Sequence, residues 1–171
     1  MKMLSEKKCA EWLVSHDIPE APYSRPAHTA AFYAQVRLPA QPLRQAAISR
    51  QLVVTCAPFE SALLQFTDWV FYKADEMAVL GGLRTLHGDS RPMIESPGHL
   101  LDVAERDLLI GMLSLAMHYG YSAYLYFDHG ATVFCWEGEI LDFWCSDESR
   151  AAEVTRLFQT HGDAPGESGG A

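Results

Sequence analysis

Lysine and arginine are absent from the stretch between Asp107 and Ser149, which contains seven acidic residues. The formal net charge of the 171-residue chain is −9, and residues 61–171 carry −11 against +2 for residues 1–60. Because phosphate binding needs positive charge, we expect no nucleic-acid ligand for the C-terminal part. A basic protein partner would be attracted to it, although acidity of this kind also serves solubility alone.

The sequence also has few cysteines and no long apolar run. Its four cysteines, at positions 9, 56, 135 and 145, show no metal-type spacing, which favours reduced thiols in a cytoplasmic protein. Lys2, Glu6 and Lys7 interrupt any apolar segment of a secretory signal. No helix pattern is apolar for long enough to predict a membrane span. We therefore expect a cytoplasmic protein without membrane contact, and no motif predicts a cofactor.

Apolar residues make up 49% of the chain and charged residues 20%, which is typical of a globular protein. No internal repeat or linker divides it, so residues 1–160 are predicted to form one domain. Residues 161–171 are rich in glycine and polar residues and predict a flexible C-terminal tail.

A long helix is predicted between Asp102 and Gly120. Asp102 and Glu105 have the spacing of a capping box, and Gly120 stands where a helix commonly ends in the left-handed conformation. The residues between them are apolar nearly all round, which predicts a buried helix.

Three aromatic strands follow, over residues 121–127, 131–136 and 139–145, and glycine-containing turns separate them. This pattern predicts an antiparallel three-stranded meander. If the second turn is the two-residue pair Glu137-Gly138, one face of the meander packs on the helix and the other is aromatic. The predicted helix face contains Ala123, Leu125, Phe127, Val133, Cys135, Ile140 and Trp144; the predicted aromatic face contains Tyr124, Tyr126, Phe134, Trp136, Leu141 and Phe143.

The rest of the chain mixes helical and strand patterns. Helices are predicted over residues 4–17, 42–50, 74–86 and 148–160, strands over 30–38 and 51–56, and a loop over 90–99. Residues 58–72 fit either a helix followed by a strand or one helix. The expected fold class is α+β, with a mainly antiparallel sheet that ends in the meander and packs on the long helix and further helices.

One pattern in the middle third of the chain comprises residues 69–72, 76, 83–84, 88–89, 91 and 97–100. In this pattern the chain resembles an uncharacterised bacterial protein family with no assigned activity. It implies a bacterial origin and one continuous domain, and no chemistry.

A partner-binding surface is predicted on the aromatic face, where aromatic anchors stand beside carboxylates that would steer a basic partner. Its proposed residues are Tyr124, Tyr126, Phe134, Trp136, Glu137 and Glu139. A different arrangement stays open, in which the N-terminal elements cover this face as a second core layer. The predicted function is a non-catalytic protein-binding domain, most concretely an immunity-type inhibitor of a basic bacterial toxin.

An alternative function is a small hydrolase or metal-dependent enzyme. His87, Asp89 and His99 come from a polar loop and have side chains that bind divalent metals or transfer protons. Their spacing matches no strong ligand motif, and Asp89 can pair with Arg91 across a turn. A dimerising subunit that uses the aromatic face is a third possibility.

Overall fold

The structure is a computed structural model that describes residues 1–19, 30–67 and 74–162. Five α-helices and seven strands lie within these ranges. In chain order they are β1 (Lys2–Leu4), α1 (Glu6–Ser15), β2 (Phe32–Arg37), α2 (Pro42–Thr55), β3 (Ser61–Phe66), α3 (Ala74–Leu86), β4 (Gly98–Asp102), α4 (Arg106–Tyr119), β5 (Ala123–Phe127), β6 (Thr132–Trp136), β7 (Ile140–Cys145) and α5 (Glu148–His161).

The seven strands form one sheet in the order β1-β4-β3-β5-β6-β7-β2, and each neighbouring pair is antiparallel. The predicted α+β fold class is confirmed. The predicted meander is confirmed too, as β5, β6 and β7, and it supplies three adjacent strands of this sheet. β1 and β2 are the edge strands, so both edges of the sheet are formed by strands from the N-terminal part of the chain.

Two apolar layers cover opposite faces of the sheet. The larger one combines side chains of α2, α4 and α5 with those of one sheet face, including Leu52, Leu113, Val154 and Phe143. The smaller one places Cys9 and Leu13 of α1 on aromatic side chains of the other face. α1 therefore covers part of the aromatic face, as the second arrangement considered above requires.

The long helix ends at Gly120 as the sequence predicts and the capping box at Asp102 is present, but α4 itself begins at Arg106. The Ala104 amide donates to Asp102 Oδ1 over 2.8 Å, and the Asp102 amide donates to Glu105 Oε2, which completes the capping box. A short 3-10 turn follows before α4, and Gly120 ends the helix with φ of 74°. The predicted burial of this helix on all sides is wrong, because α4 packs against the larger apolar layer with one side only. Only one stripe, including Leu109, Met112 and Ala116, is buried.

The predicted faces of β7 are wrong by one residue. Trp136 pairs with Ile140, so the second turn contains three residues, with Glu139 outside the β6–β7 pairing. Since successive strand residues point to opposite faces, the extra residue exchanges the two sets of side chains in β7. Leu141 and Phe143 belong to the layer of α4, whereas Trp144 belongs to the layer of α1.

Three further predictions of local structure are wrong. The strand predicted over 51–56 is wrong: residues 51–55 continue α2 and Cys56 is its C-cap, because Ile48, Leu52 and Val53 form one buried helical stripe that outweighs the strand preference of the β-branched residues. Residues 61–66 are strand β3 rather than helix, since Leu63 and Leu64 are buried in opposite apolar layers. β4 begins at Gly98, inside the predicted loop.

The predicted helices over 74–86 and 148–160 correspond to α3 and α5. The strand predicted over 66–72 lies mostly outside the described residues, and the predicted tail lies outside them after Gly162. Within the described ranges, no helix combines the length and apolarity that a membrane crossing requires.

Candidate functional site

The turn between β6 and β7 presents an exposed tryptophan beside two exposed carboxylates. Trp136 is 51% exposed, and both Glu137 and Glu139 are exposed. Glu137 and Gly138 adopt positive φ values of 48° and 67°, and the Glu139 amide donates to the Trp136 carbonyl over 2.8 Å. The backbone thus holds the indole and the carboxylates on one short turn, which we call the Trp136 turn (residues 136–139).

The Trp136 turn is fixed against the C-terminal end of α4. A Cβ atom on Gly138 would overlap the Met117 carbonyl oxygen, and one on Gly120 would lie 3.2 Å from the Glu137 carbonyl oxygen. On the other side, the Leu38 amide donates to the Glu139 carbonyl over 2.7 Å. Close backbone packing therefore positions the exposed side chains.

The other three proposed partner-binding residues lie under α1. Tyr124, Tyr126 and Phe134 are buried in the smaller apolar layer, where the rings of Tyr124 and Phe134 stack with centroids 4.3 Å apart. Trp136 continues this aromatic row, with its ring centroid 6.3 Å from that of Phe134. The six residues therefore divide between a buried layer and an exposed end, and only the exposed end is available for contact in this structure.

The sequence interpretation missed a fully buried carboxylate on the same face. Asp142 is brought there by the three-residue turn, between Phe134 of β6 and Gln35 of β2. Tyr33 Oη and Gln35 Nε2 both donate to Asp142 Oδ1, the latter over 2.8 Å. The signal in the sequence was an aspartate inside the apolar strand ILDFWC, which only the correct register turns into a feature of the aromatic face.

Asp142 contributes to a raised pKa of Tyr124. Burial raises the pKa of the Tyr124 hydroxyl to about 12, and the negative charge of Asp142 acts in the same direction. Tyr124 therefore stays protonated at neutral pH.

The proposed metal-binding residues do not form a ligand set. Asp89 is buried and accepts from Arg91 Nη2 at 2.7 Å and from Arg84 Nη2 at 3.3 Å. His99 is buried in β4, whereas His87 is exposed at the end of α3. Across residues 1–19, 30–67 and 74–162, no three histidine, cysteine, aspartate or glutamate side chains come together to hold a metal ion.

Asp89 instead neutralises two arginines in a hydrogen-bonded cluster. Ser96 Oγ donates to Asp89 Oδ2 over 3.2 Å, and Arg84 Nη1 donates to the Ser96 carbonyl over 3.1 Å. Arg91 also donates to the Met3 carbonyl, which ties the edge strand β1 to this loop. Every oxygen of Asp89 that could bind a metal is engaged by a cation or a hydroxyl, so the cluster has a structural role.

The pKa shifts agree with that role. Hydrogen bonds from Arg91 hold the pKa of Asp89 far below its usual range. Burial lowers the pKa of His99 to about 4, and the positive charge of Arg84 lowers it further. His99 is therefore neutral at pH 7, packed edge to face on Phe66 with ring centroids 5.5 Å apart.

The buried cysteines offer no activated nucleophile. Burial raises the pKa of the Cys135 thiol to about 12 and that of the Cys56 thiol even more. A thiolate is the reactive form, so these shifts oppose nucleophilic catalysis at neutral pH.

Comparison with known proteins adds no second line of evidence. Neither the family models, nor the curated proteins, nor the solved structures contain a match to this chain.

Proposed function

We propose that this protein is a non-catalytic binding domain for a basic protein partner, and that the Trp136 turn is the centre of its contact surface. The observation that carries this proposal is the exposed indole of Trp136 in one turn with two exposed carboxylates, Glu137 and Glu139. Tryptophan is among the residues most often found at the centre of protein interfaces, and interfacial carboxylates speed the approach of basic partners.

Its most concrete form is an immunity-type inhibitor that neutralises a basic toxin, such as a nuclease, in a bacterial cytoplasm. The net charge of −11 over residues 61–171 supports a partner of opposite sign. The rigid backbone of the turn supports a preformed contact, because little conformational entropy is then lost on binding. The ion pairs of Asp89 with Arg84 and Arg91 oppose the metal-dependent alternative, because they occupy the carboxylate that would bind the metal.

The test is isothermal titration calorimetry with a catalytically inactive variant of any basic protein that a neighbouring gene encodes. We expect Trp136→Ala to weaken binding by about 30-fold, the size of effect typical of a central aromatic anchor. Glu139→Lys should weaken binding at low salt and reduce the dependence of the affinity on salt. Unchanged affinity in Trp136→Ala, or affinity that does not respond to salt, would contradict the proposal.

Two variants serve as matched controls. Leu43 on α2 is exposed, and Leu43→Ala removes an exposed apolar side chain far from the turn in sequence. Glu153 on α5 is exposed on the helix that packs against the opposite sheet face, so Glu153→Lys makes the same charge change elsewhere. Both should leave the affinity within about twofold, as expected for residues outside an interface. Size-exclusion chromatography at two concentrations separates this function from self-association through the same surface.

A further inference from the structure

One side of α4 is open to solvent. Asp107, Gly111 and His118 are exposed along it, and Ser114 is half-buried between them. Because the four positions are separated by four, three and four residues, they form one straight stripe on the side of the helix opposite its buried residues. No atom of the described residues lies within 4 Å of where a Cβ on Gly111 would stand. Gly111 therefore allows another surface to approach the backbone of this helix closely.

Apolar side chains border the stripe. Leu108 and Leu115 lie along one side of it, and Ile110 lies on the other; each is half-buried and packs on the larger apolar layer. Leu108 and Leu115 are seven residues apart, which is the repeat found in helices that pack along a second helix. A helix is therefore the shape of partner that this side of α4 fits.

The stripe is complementary to itself in the antiparallel direction. When Asp107 is placed opposite His118 of a second copy, Gly111 falls opposite Ser114 of that copy, because the two positions in each half of the stripe are four residues apart. Both contacts then occur twice around a two-fold axis, which is the symmetry of most dimers. The imidazole donates to the carboxylate, and each helix N-terminus lies beside the C-terminus of the other helix, so the helix dipoles attract each other.

The charge around the stripe favours a second copy over a basic protein. α2 is the helix beside α4, where Ser49 Oγ donates to Met117 Sδ over 3.3 Å. α2 contains two arginines and no acidic residue, and α4 contains one arginine and one aspartate. The two helices together thus carry +2 in a chain of net charge −9. Two copies can meet here without the repulsion between their acidic parts, whereas a basic protein is not attracted to this side.

From these observations we propose that the protein forms a symmetric dimer in which α4 packs antiparallel on α4 of a second copy. Asp107 pairs with His118 of the second copy, Gly111 contacts its Ser114, and Leu108 packs beside its Leu115. Two helices of 14 residues bury less than the roughly 1,200 Å² at the lower end of stable interfaces, so the dimer is weak and forms at concentrations on the order of 0.1–1 mM. This dimer goes beyond the proposed function and does not depend on it.

Sedimentation velocity of the full chain, at concentrations from about 10 µM to about 1 mM, measures this self-association. We expect a concentration-dependent change from monomer to dimer that Trp136→Ala leaves unaffected. A monomer throughout this range would overturn the proposal. So would assembly beyond a dimer, because a two-fold contact closes on itself. Loss of the dimer in Trp136→Ala would assign the contact to the Trp136 turn and reject the α4 contact.

Gly111→Gln adds a side chain at the closest approach of the two helices. It should raise the dissociation constant of the dimer at least about tenfold, because the helices can no longer pack closely. Gly82→Gln is the matched control, since Gly82 is also exposed on a helix, α3, with no described atom within 4 Å of a Cβ. Both changes introduce a better helix former, so the Tm of each variant should not fall. Equal dissociation constants in the two variants would contradict the α4 contact.

A charge exchange tests the pairing of Asp107 with His118. His118→Asp places two carboxylates opposite each other at both ends of the contact and should weaken the dimer several-fold. Adding Asp107→His exchanges the two partners and should restore most of the lost affinity. A double variant as weak as His118→Asp alone would reject the antiparallel alignment.

Disulfide cross-linking tests the register and decides the question even if Gly111→Gln does not fold. The Gly111→Cys and Ser114→Cys variants are mixed in equal amounts and treated with oxidised glutathione, while the four native thiols are buried. We expect the disulfide between the two different variants to predominate, because only these positions lie directly opposite each other and disulfide geometry is strict. A mixed product that makes up no more than the random half of all cross-linked dimers would overturn the proposed register.

Discussion

At the scale of single residues, Gly138 shows how backbone packing sets up an exposed surface. Its φ of 67° belongs to the left-handed region, which glycine enters without steric cost. Its missing side chain also lets the turn lie directly on the Met117 carbonyl and on Gly120. Gly130 in the first turn has a φ of 88° but open space where a Cβ would stand. Gly130 is therefore needed for its backbone conformation alone, whereas Gly138 is needed both for its conformation and for close packing.

Gly138→Ala is expected to lower the free energy of unfolding by about 3 kcal/mol, since left-handed strain of about 1 kcal/mol adds to overpacking against α4. Gly130→Ala carries the strain alone and should cost about 1 kcal/mol. Urea denaturation of the two variants measures the difference. Equal destabilisation would show that the Gly138 contact with α4 contributes nothing.

At the scale of elements, α1 determines how much of the aromatic face is buried. Leu13 is buried against the tyrosines of β5, and Cys9 lies where a side chain on Gly98 would have to be. This helix is the only described one whose buried residues belong to the smaller layer. Its removal would expose the aromatic row that now ends at Trp136.

Leu13→Ala should lower the free energy of unfolding by about 3 kcal/mol, through lost burial and the cavity left behind. Val14→Ala, on the exposed side of the same helix, should change it by less than about 0.5 kcal/mol.

The reaction of thiols with a cysteine reagent provides a second readout. Cys9 should react faster in Leu13→Ala, whereas Cys135 in the opposite layer should stay protected. Equal protection of both thiols would argue that α1 does not open independently.

At the scale of the whole molecule, buried ionisable groups tie stability to pH. The cluster of Arg84, Asp89 and Arg91 joins α3, β1 and the segment before β4, next to neutral His99. The pKa of His99 is about 4 in the folded protein against 6.5 as its ordinary value. Between these two values the unfolded chain binds more protons, so stability falls as the pH drops through this window. Asp89, whose pKa is lowered, adds a further loss at lower pH, where its carboxylate becomes protonated.

His99→Gln should remove about 2 kcal/mol of the stability difference between pH 7 and pH 4.5, because the titrating group is lost while a polar side chain remains. Chemical denaturation at both pH values, on the wild type and the variant, measures this. An unchanged pH dependence in the variant would show that His99 is protonated as readily in the folded protein as in the unfolded chain.

The sequence by itself determined the elements whose signals are local. The capping box at Asp102, the left-handed end of α4 at Gly120 and the first glycine turn of the meander are confirmed, whereas the second turn has the predicted glycine but one more residue than predicted. Each depends on side chains or backbone angles within a few residues. The α+β class follows from the order of such elements. The four cysteines, for which reduced thiols are predicted, are free and buried in the structure.

Only the tertiary structure decided which surfaces these elements share. Glu139 is an extra residue in the second turn, which shifts the register of β7 by one residue. Asp142 therefore lies on the aromatic face, opposite Phe134. The strand preference of residues 51–56 gave way to a helix because burial in the core of α2 and α4 is worth more than intrinsic propensity. α1 covered Tyr124, Tyr126 and Phe134 and left Trp136 exposed. Register and burial depend on contacts between residues far apart in the chain, so local patterns could not decide them.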